Sequence, residues 1–196
     1  MNFSELCAEV YSITGRPDRV AETESAVRSA TLKCHQSEFY PKDLVEVGIS
    51  FPDTNYTHSL DYRATFPLWR SMRYMRKYDL TTASAGNLLE VIDTERVFDR
   101  YAIQRTDVCY LAGQYIQILS STEDTSYIVG YYANPNITSV GFSSWIALDH
   151  PYAIIHDACA TVFKTVGRDE EASAYRAMVA EQLRMIQISN VGPVGY

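Results

Sequence analysis

The chain has 196 residues, 46% of them hydrophobic and 21% charged, and a net charge of −7. This is an ordinary globular composition, long enough for one sizeable core or two small ones. No apolar run approaches the ~18 residues a membrane span requires, and the acidic balance argues against a protein that grips nucleic acid over a broad face. The opening M-N-F-S-E-L-C-A-E-V has no basic region and carries Glu5 and Glu9, so it does not read as a signal peptide and points to a cytoplasmic site of synthesis.

In chain order, Phe3, Leu6, Cys7, Val10 and Ile13 recur at helical spacing and predict a helix over Phe3–Thr14, ended by Gly15. A second helix is expected near Val20–Ser37, with Val20, Thr23, Val27, Ala30 and Cys34 on a narrow stripe. The period then changes to two. Val45, Val47, Ile49 and Phe51 predict one half-buried strand, P-D-T-N at 52–55 a turn, and Leu60, Tyr62, Ala64 and Phe66 a second strand paired to the first. The stretch L-W-R-S-M-R-Y-M-R-K-Y at 68–78 carries both helical spacing and β-formers, so its type stays open. A loop at 81–87, a short strand at Leu88–Ile92 and a short helix from an Asp93 cap through Tyr101 follow. Residues 109–119 predict a tight hairpin around Ala112–Gln114, and 126–133 a further strand, with Glu123-Asp124 in a polar hairpin loop between them.

The C-terminal region gives the clearest pattern. Asp149 is expected to cap a helix whose first turn tolerates Pro151, with Tyr152, Ile155, Cys159 and Phe163 on its core face. Gly167 ends it, and Asp169 caps a second helix with Tyr175, Val179 and Leu183 on its stripe. Helices joined by so few residues lie antiparallel. The expected fold is therefore α+β: a four-helix core from both chain ends (1–38 and 149–188), an antiparallel β-rich insertion at 43–148, and an extended tail at 189–196.

Cys7, Cys34, Cys109 and Cys159 are widely spaced, without a C-x-x-C pair, and read as buried thiols. No nucleotide loop, H-E-x-x-H, G-x-S-x-G or calcium-loop pattern occurs. His35, His58, His150 and His156 are scattered, each reading as structural. No residue is nominated as catalytic, metal-ligating or cofactor-binding, and the chain does not read as an enzyme. Two features remain. From Thr106 to Phe163 there is no Lys or Arg, whereas Arg70, Arg73, Arg76 and Lys77 stand together beside Trp69. These five are the candidate contacts to a neighbour, and 15 Tyr against 7 Phe suit surfaces that an assembly covers.

Three stretches together resemble a known family: Y-L-A-G-Q-Y-I-Q-I leading to Y-I-V-G-Y-Y-A-N-P, then S-S-W-I-A-L-D-H-P-Y-A-I-I-H-D-A-C-A-T-V-F-K, then A-Y-R-A-M-V-A-E-Q-L. They are similar to the head–tail adaptor (connector, head completion or tail tubular) proteins of tailed bacteriophages. The resemblance implies a homo-oligomeric ring, commonly of twelve subunits, in the virion neck between the portal and a tail or neck protein, with DNA only as passing cargo. It also implies that a C-terminal segment grips the portal, which here is Asn190, Val191, Gly192, Pro193, Val194, Gly195 and Tyr196. The alternatives are another phage neck or tail-completion protein, or a small DNA-binding or regulatory protein using residues 68–78.

Overall fold

The computed structural model describes residues 1–79, 84–98 and 103–190, without the side chains of residues 53, 54, 123, 124 and 190. The chain divides into two compact units. One is built from Met1–Asp43 and the segment from Asn134 onward, the other from Leu44–Ala133.

In the first unit, α1 (Phe3–Thr14) starts at Asn2, whose side chain accepts from the Glu5 amide while Glu5 accepts from the Asn2 amide. This reciprocal pair satisfies two amides that a helix start leaves open. The helix ends at Gly15, whose φ of 65° is a left-handed value that glycine adopts without a Cβ clash. α2 (Val20–Gln36) buries the small residues Ala26, Ala30 and Cys34. α4 (Trp145–Asp149) leads into α5 (Pro151–Thr165), whose Ala153, Ile154, Ile155, Ala158, Cys159, Val162 and Phe163 are all buried. Against α5 lie α1, α2 and α6 (Asp169–Asn190). Among the described residues α6 buries only Ala172 and Ile186, while Tyr175, Val179 and Leu183 are half-buried.

In the second unit, β1 (Leu44–Asp61) runs antiparallel to β5 (Tyr115–Ala133), the most extensive pairing in the chain. α3 (Tyr62–Thr65) follows β1 directly. β2 (Trp69–Asp79) pairs with the later part of β5, and β4 (Val108–Ala112) with its beginning. β3 (Ser84–Val91) joins β2 to β4, antiparallel to the first and parallel to the second. Register shifts break the β1–β5 ladder near its middle. With the two halves of each long strand counted separately, seven strand segments curl into a half-barrel, against six α-helices among the described residues. Its interior is made by Ile49, Phe66, Met75, Cys109, Ile116, Ile118, Tyr127, Val129 and Tyr131.

The expected four-helix core with an antiparallel insertion is therefore overturned. The sheet is mixed and has its own interior, and the helices surround one buried helix instead of sharing a four-way core. The P-D-T-N segment is not a turn. Pro52 has no amide to donate and the ladder does break around it, but β5 is irregular at the same level. The chain therefore continues forward, and residues 44–50 and 57–61 pair with β5, not with each other. The second segment stops at Asp61, whose carboxylate accepts from the Arg63 and Ala64 amides and starts α3. Residues 84–87 belong to β3 instead of a loop, and 123–124 lie within β5. After Asp93 only a 3-10 turn forms, Thr94–Arg96; residues 99–102 lie outside the described residues.

At the helical end, Asp149 closes α4 and pairs with Lys42, so His150 takes the N-cap position of α5. Tyr152 is not core: it is 50% exposed, in the first turn of α5, and Val20 is equally exposed at the start of α2. Ser189 and Asn190 are the last residues of α6, not an extended tail, and Val191–Tyr196 lie outside the described residues. No helix among the described residues is long and apolar enough to cross a membrane.

Candidate functional site

The basic aromatic stretch is β2, and its pairing explains its mixed pattern. Along β5, Ala133, Tyr132, Tyr131, Gly130 and Val129 face Trp69, Ser71, Met72, Tyr74 and Met75 in turn. Arg70 and Arg73 are skipped. Each is the extra residue of a β-bulge, which leaves the ladder locally and re-aims its side chain. The bulges also turn a period of two into a period of three, so Trp69, Met72 and Met75 all pack toward the half-barrel interior. That spacing imitates a helix in the sequence.

Trp69 anchors the start of the strand. Its ring lies 4.8 Å from Tyr62, 5.4 Å from Phe66 and 5.1 Å from Tyr131, the last two stacked. Tyr62, in turn, is fixed because its amide donates to the Gln114 carbonyl. Beside this cluster opens a cleft of about 630 Å³ lined by Tyr62, Arg63, Phe66, Pro67, Leu68, Trp69, Arg70, Ser71 and Leu111. Leu68 sits at φ 59°, a left-handed backbone that disfavours a residue with a Cβ. It is also 48% exposed, so burial of its side chain does little to offset that strain.

The five sequence candidates thus separate. Trp69 is a packing residue at the rim. Arg70 lines the cleft, and Arg73 is exposed with no ion-pair partner among the described residues. The Arg76 guanidinium lies over the Tyr74 ring at 4.8 Å. Lys77 turns into the sheet, where it bonds Asp107 at 2.8 Å and Thr122 at 2.7 Å. Burial opposes ionisation of Asp107, yet bonds from Lys77 and from the Ser121 amide and hydroxyl outweigh it and hold the carboxyl at about 2. Arg63, Leu68 and Leu111 complete the cleft without any advance signal in the sequence.

In the helical unit a second polar cluster is largely buried. His35 Nδ1 lies 2.8 Å from Asp43 Oδ1, and Nε2 lies 2.9 Å from Ser144 Oγ; the Trp145 ring N–H donates to the same Asp43 oxygen at 2.7 Å. With the proton on Nδ1, the order of groups is that of a serine hydrolase triad. Here it serves as a clamp. Ser144 Oγ also accepts the Ala147 amide as the cap of α4, and His35 and Asp43 are buried. The chain ties α2, the 3-10 turn Pro41–Asp43 and α4 together.

All four cysteines are buried and unpaired. Burial pushes Cys34, Cys109 and Cys159 up to about 12 and Cys7 to about 11, which leaves them unreactive as nucleophiles. No group of three or more His, Cys, Asp or Glu side chains among the described residues can hold a metal ion. No protein-family model matches the chain, and a search of characterised proteins finds no significant relative, so the functional reading rests on the cleft and the charge pattern themselves.

Proposed function

We propose that this chain is a virion structural protein, a head-to-tail adaptor that forms a ring between portal and tail through which genome DNA passes. The observation that supports this reading best is the β1–β5 ladder. Two strands of 18 and 19 residues pair at both ends across an irregular middle, and neither contains a Lys or Arg. A passage for DNA has to avoid holding it, because each basic contact to a phosphate adds affinity and slows sliding. A broad strand pair free of cations suits a lumen wall. The basic side chains of this unit lie elsewhere, on α3, β2 and around Arg96 and Arg105.

Electron microscopy of the purified protein, alone and mixed with a portal, tests the proposal. Closed rings that seat on the portal are expected; a chain that forms no ring and ignores the portal overturns it. A small DNA-binding protein is the second reading, and β2 argues against it, since Lys77 is committed to Asp107 and Arg76 to Tyr74. Strong, salt-sensitive retention of duplex DNA by the isolated chain would favour that reading instead.

A further inference from the structure

The half-barrel has an unfinished side. β1 stands at the end of the sheet, and no strand among the described residues pairs with the edge it turns away from β5. In an antiparallel ladder every second residue points its N–H and C=O groups to that side. The side chains agree with the backbone. Val47, Ile49 and Phe51 pack toward the interior. Val129 and Tyr127, the partners of Val47 and Ile49 across the ladder, are completely buried, whereas Val47 and Phe51 are only half-buried and Val45 is 37% exposed. The core is closed on the β5 side and open on the β1 side. On the other face Glu46, Gly48 and Ser50 are exposed. Such edges are commonly blunted by Lys, Pro or a bulge. Over residues 44–50 the register with β5 is regular, Lys and Pro are absent, and the single charge is Glu46.

We propose that residues 44–50 of β1 accept an added strand from a protein partner, an extended segment with apolar side chains on one side and Lys or Arg on the other. A strand added to a sheet edge is held by main-chain hydrogen bonds, and its alternate side chains settle beside those of the edge. The apolar ones continue the row Val45, Val47 and Ile49 and cover the open side of the interior. The basic ones stand on the outer face beside Glu46, where opposite charges on adjacent strands attract. A second copy fits less well, because its β1 brings another Glu46 and no Lys or Arg. The net charge of −7 also favours the approach of a cationic segment. Strand addition here depends only on the edge, and it holds whether or not the chain forms a ring.

The test uses fluorescence anisotropy with the full chain at physiological salt and two labelled peptides, one alternating Val with Lys and one alternating Val with Glu. The Val–Lys peptide is expected to bind, and the Val–Glu peptide to bind at least about tenfold more weakly. Glu46→Lys, at an exposed position, should weaken Val–Lys binding severalfold. Glu95→Lys makes the same charge change at an exposed position on the 3-10 turn Thr94–Arg96 and should leave binding nearly unchanged. Amide hydrogen exchange on the bound wild-type chain should show new protection at alternate residues within 44–50. Val–Lys binding that is absent, matched by the Val–Glu peptide, lost equally in both variants or unaccompanied by that protection overturns the proposal. A chain that dimerises by itself and protects the same amides overturns it in favour of a second copy. Ring formation on the portal is read separately: rings without peptide binding sink the added strand alone, and peptide binding without rings sinks the adaptor reading alone.

Discussion

The two units handle polar groups in opposite ways. In the helical unit the strongest polar cluster, His35–Asp43–Ser144–Trp145, is closed on itself and joins three elements around a buried point. In the half-barrel, Lys77 and Asp107 satisfy each other, but the bulged Arg73 is carried to an exposed rim. Buried polar groups fix one arrangement of a core, whereas charged groups held out on a strained edge are a cost to the isolated chain that a partner can offset. The first unit therefore reads as scaffold and the second as the working surface. Variants can separate those roles.

The largest effect is expected in the scaffold. Phe163 is 3% exposed, its ring 5.4 Å from Tyr175 and 4.7 Å from the Arg168 guanidinium. Phe163→Ala should cost about 3–5 kcal/mol. Chemical denaturation followed through probes in each unit should show the loss in the helical one first. A loss under about 1 kcal/mol would mean that α5 is not the centre of that core. Next comes the clamp. Asp43→Asn keeps the shape but removes the charge from the bonds to His35 and Trp145, and should cost about 1–3 kcal/mol. An unchanged midpoint would show that the enclosed cluster does not hold the unit together.

Legibility in the sequence divides along the same line. Helical spacing is set by the chain's own neighbours, so the stripe Phe3, Leu6, Cys7 and Val10 and the Gly15 end were readable, and α1 spans Phe3–Thr14 as expected. The Gly113-Gln114 turn was readable too, because Gly113 at φ 62° joins Ala112 and Tyr115 directly. The half-barrel was not. Whether P-D-T-N turns the chain depends on what β5 does opposite it, some seventy residues away. The pattern at 68–78 stayed ambiguous because two bulges insert a residue each, and a bulge is a property of a pair of strands, not of one. The cleft inherits that difficulty: the arginines could be nominated, but not which of them the bulges would turn outward.

Acid offers a gentler way to separate the units. Burial lowers the pKa of His156, whose Nδ1 has no hydrogen-bond partner among the described residues. A histidine with a depressed folded pKa stabilises fully above its unfolded value of 6.5 and loses that contribution as pH falls below it, because the unfolded chain then binds the proton more readily. Asp107, held at about 2 against an unfolded 3.8, contributes above 3.8 and loses its share as pH falls toward 2. The helical unit should thus begin to weaken as pH falls below 6.5, while the half-barrel keeps the Asp107 contribution until pH falls below 3.8. His156→Phe should flatten the first decline and leave the second. A single common transition, unaffected by that change, would contradict the assignment.

The smallest effect on the fold is expected at Leu68, where it should be most informative about function. A leucine at φ 59° carries roughly 1–2 kcal/mol of left-handed strain. Glycine relieves it but gives the unfolded chain about 0.5–1 kcal/mol more entropy to lose. Leu68→Gly should therefore leave stability unchanged or raise it by up to about 1 kcal/mol. Because the side chain is 48% exposed, little packing is sacrificed in return. If the strain exists only to present an apolar side chain to a neighbour in the assembly, the same substitution should weaken attachment to the portal severalfold while thermal melting stays at or above the wild-type value. Leu68→Asn, which tolerates the left-handed backbone but is polar, should behave alike in both respects. A clear loss of stability in either variant would mean that Leu68 supports the half-barrel itself. Undiminished attachment to the portal would mean that the strained residue faces nothing that matters to assembly.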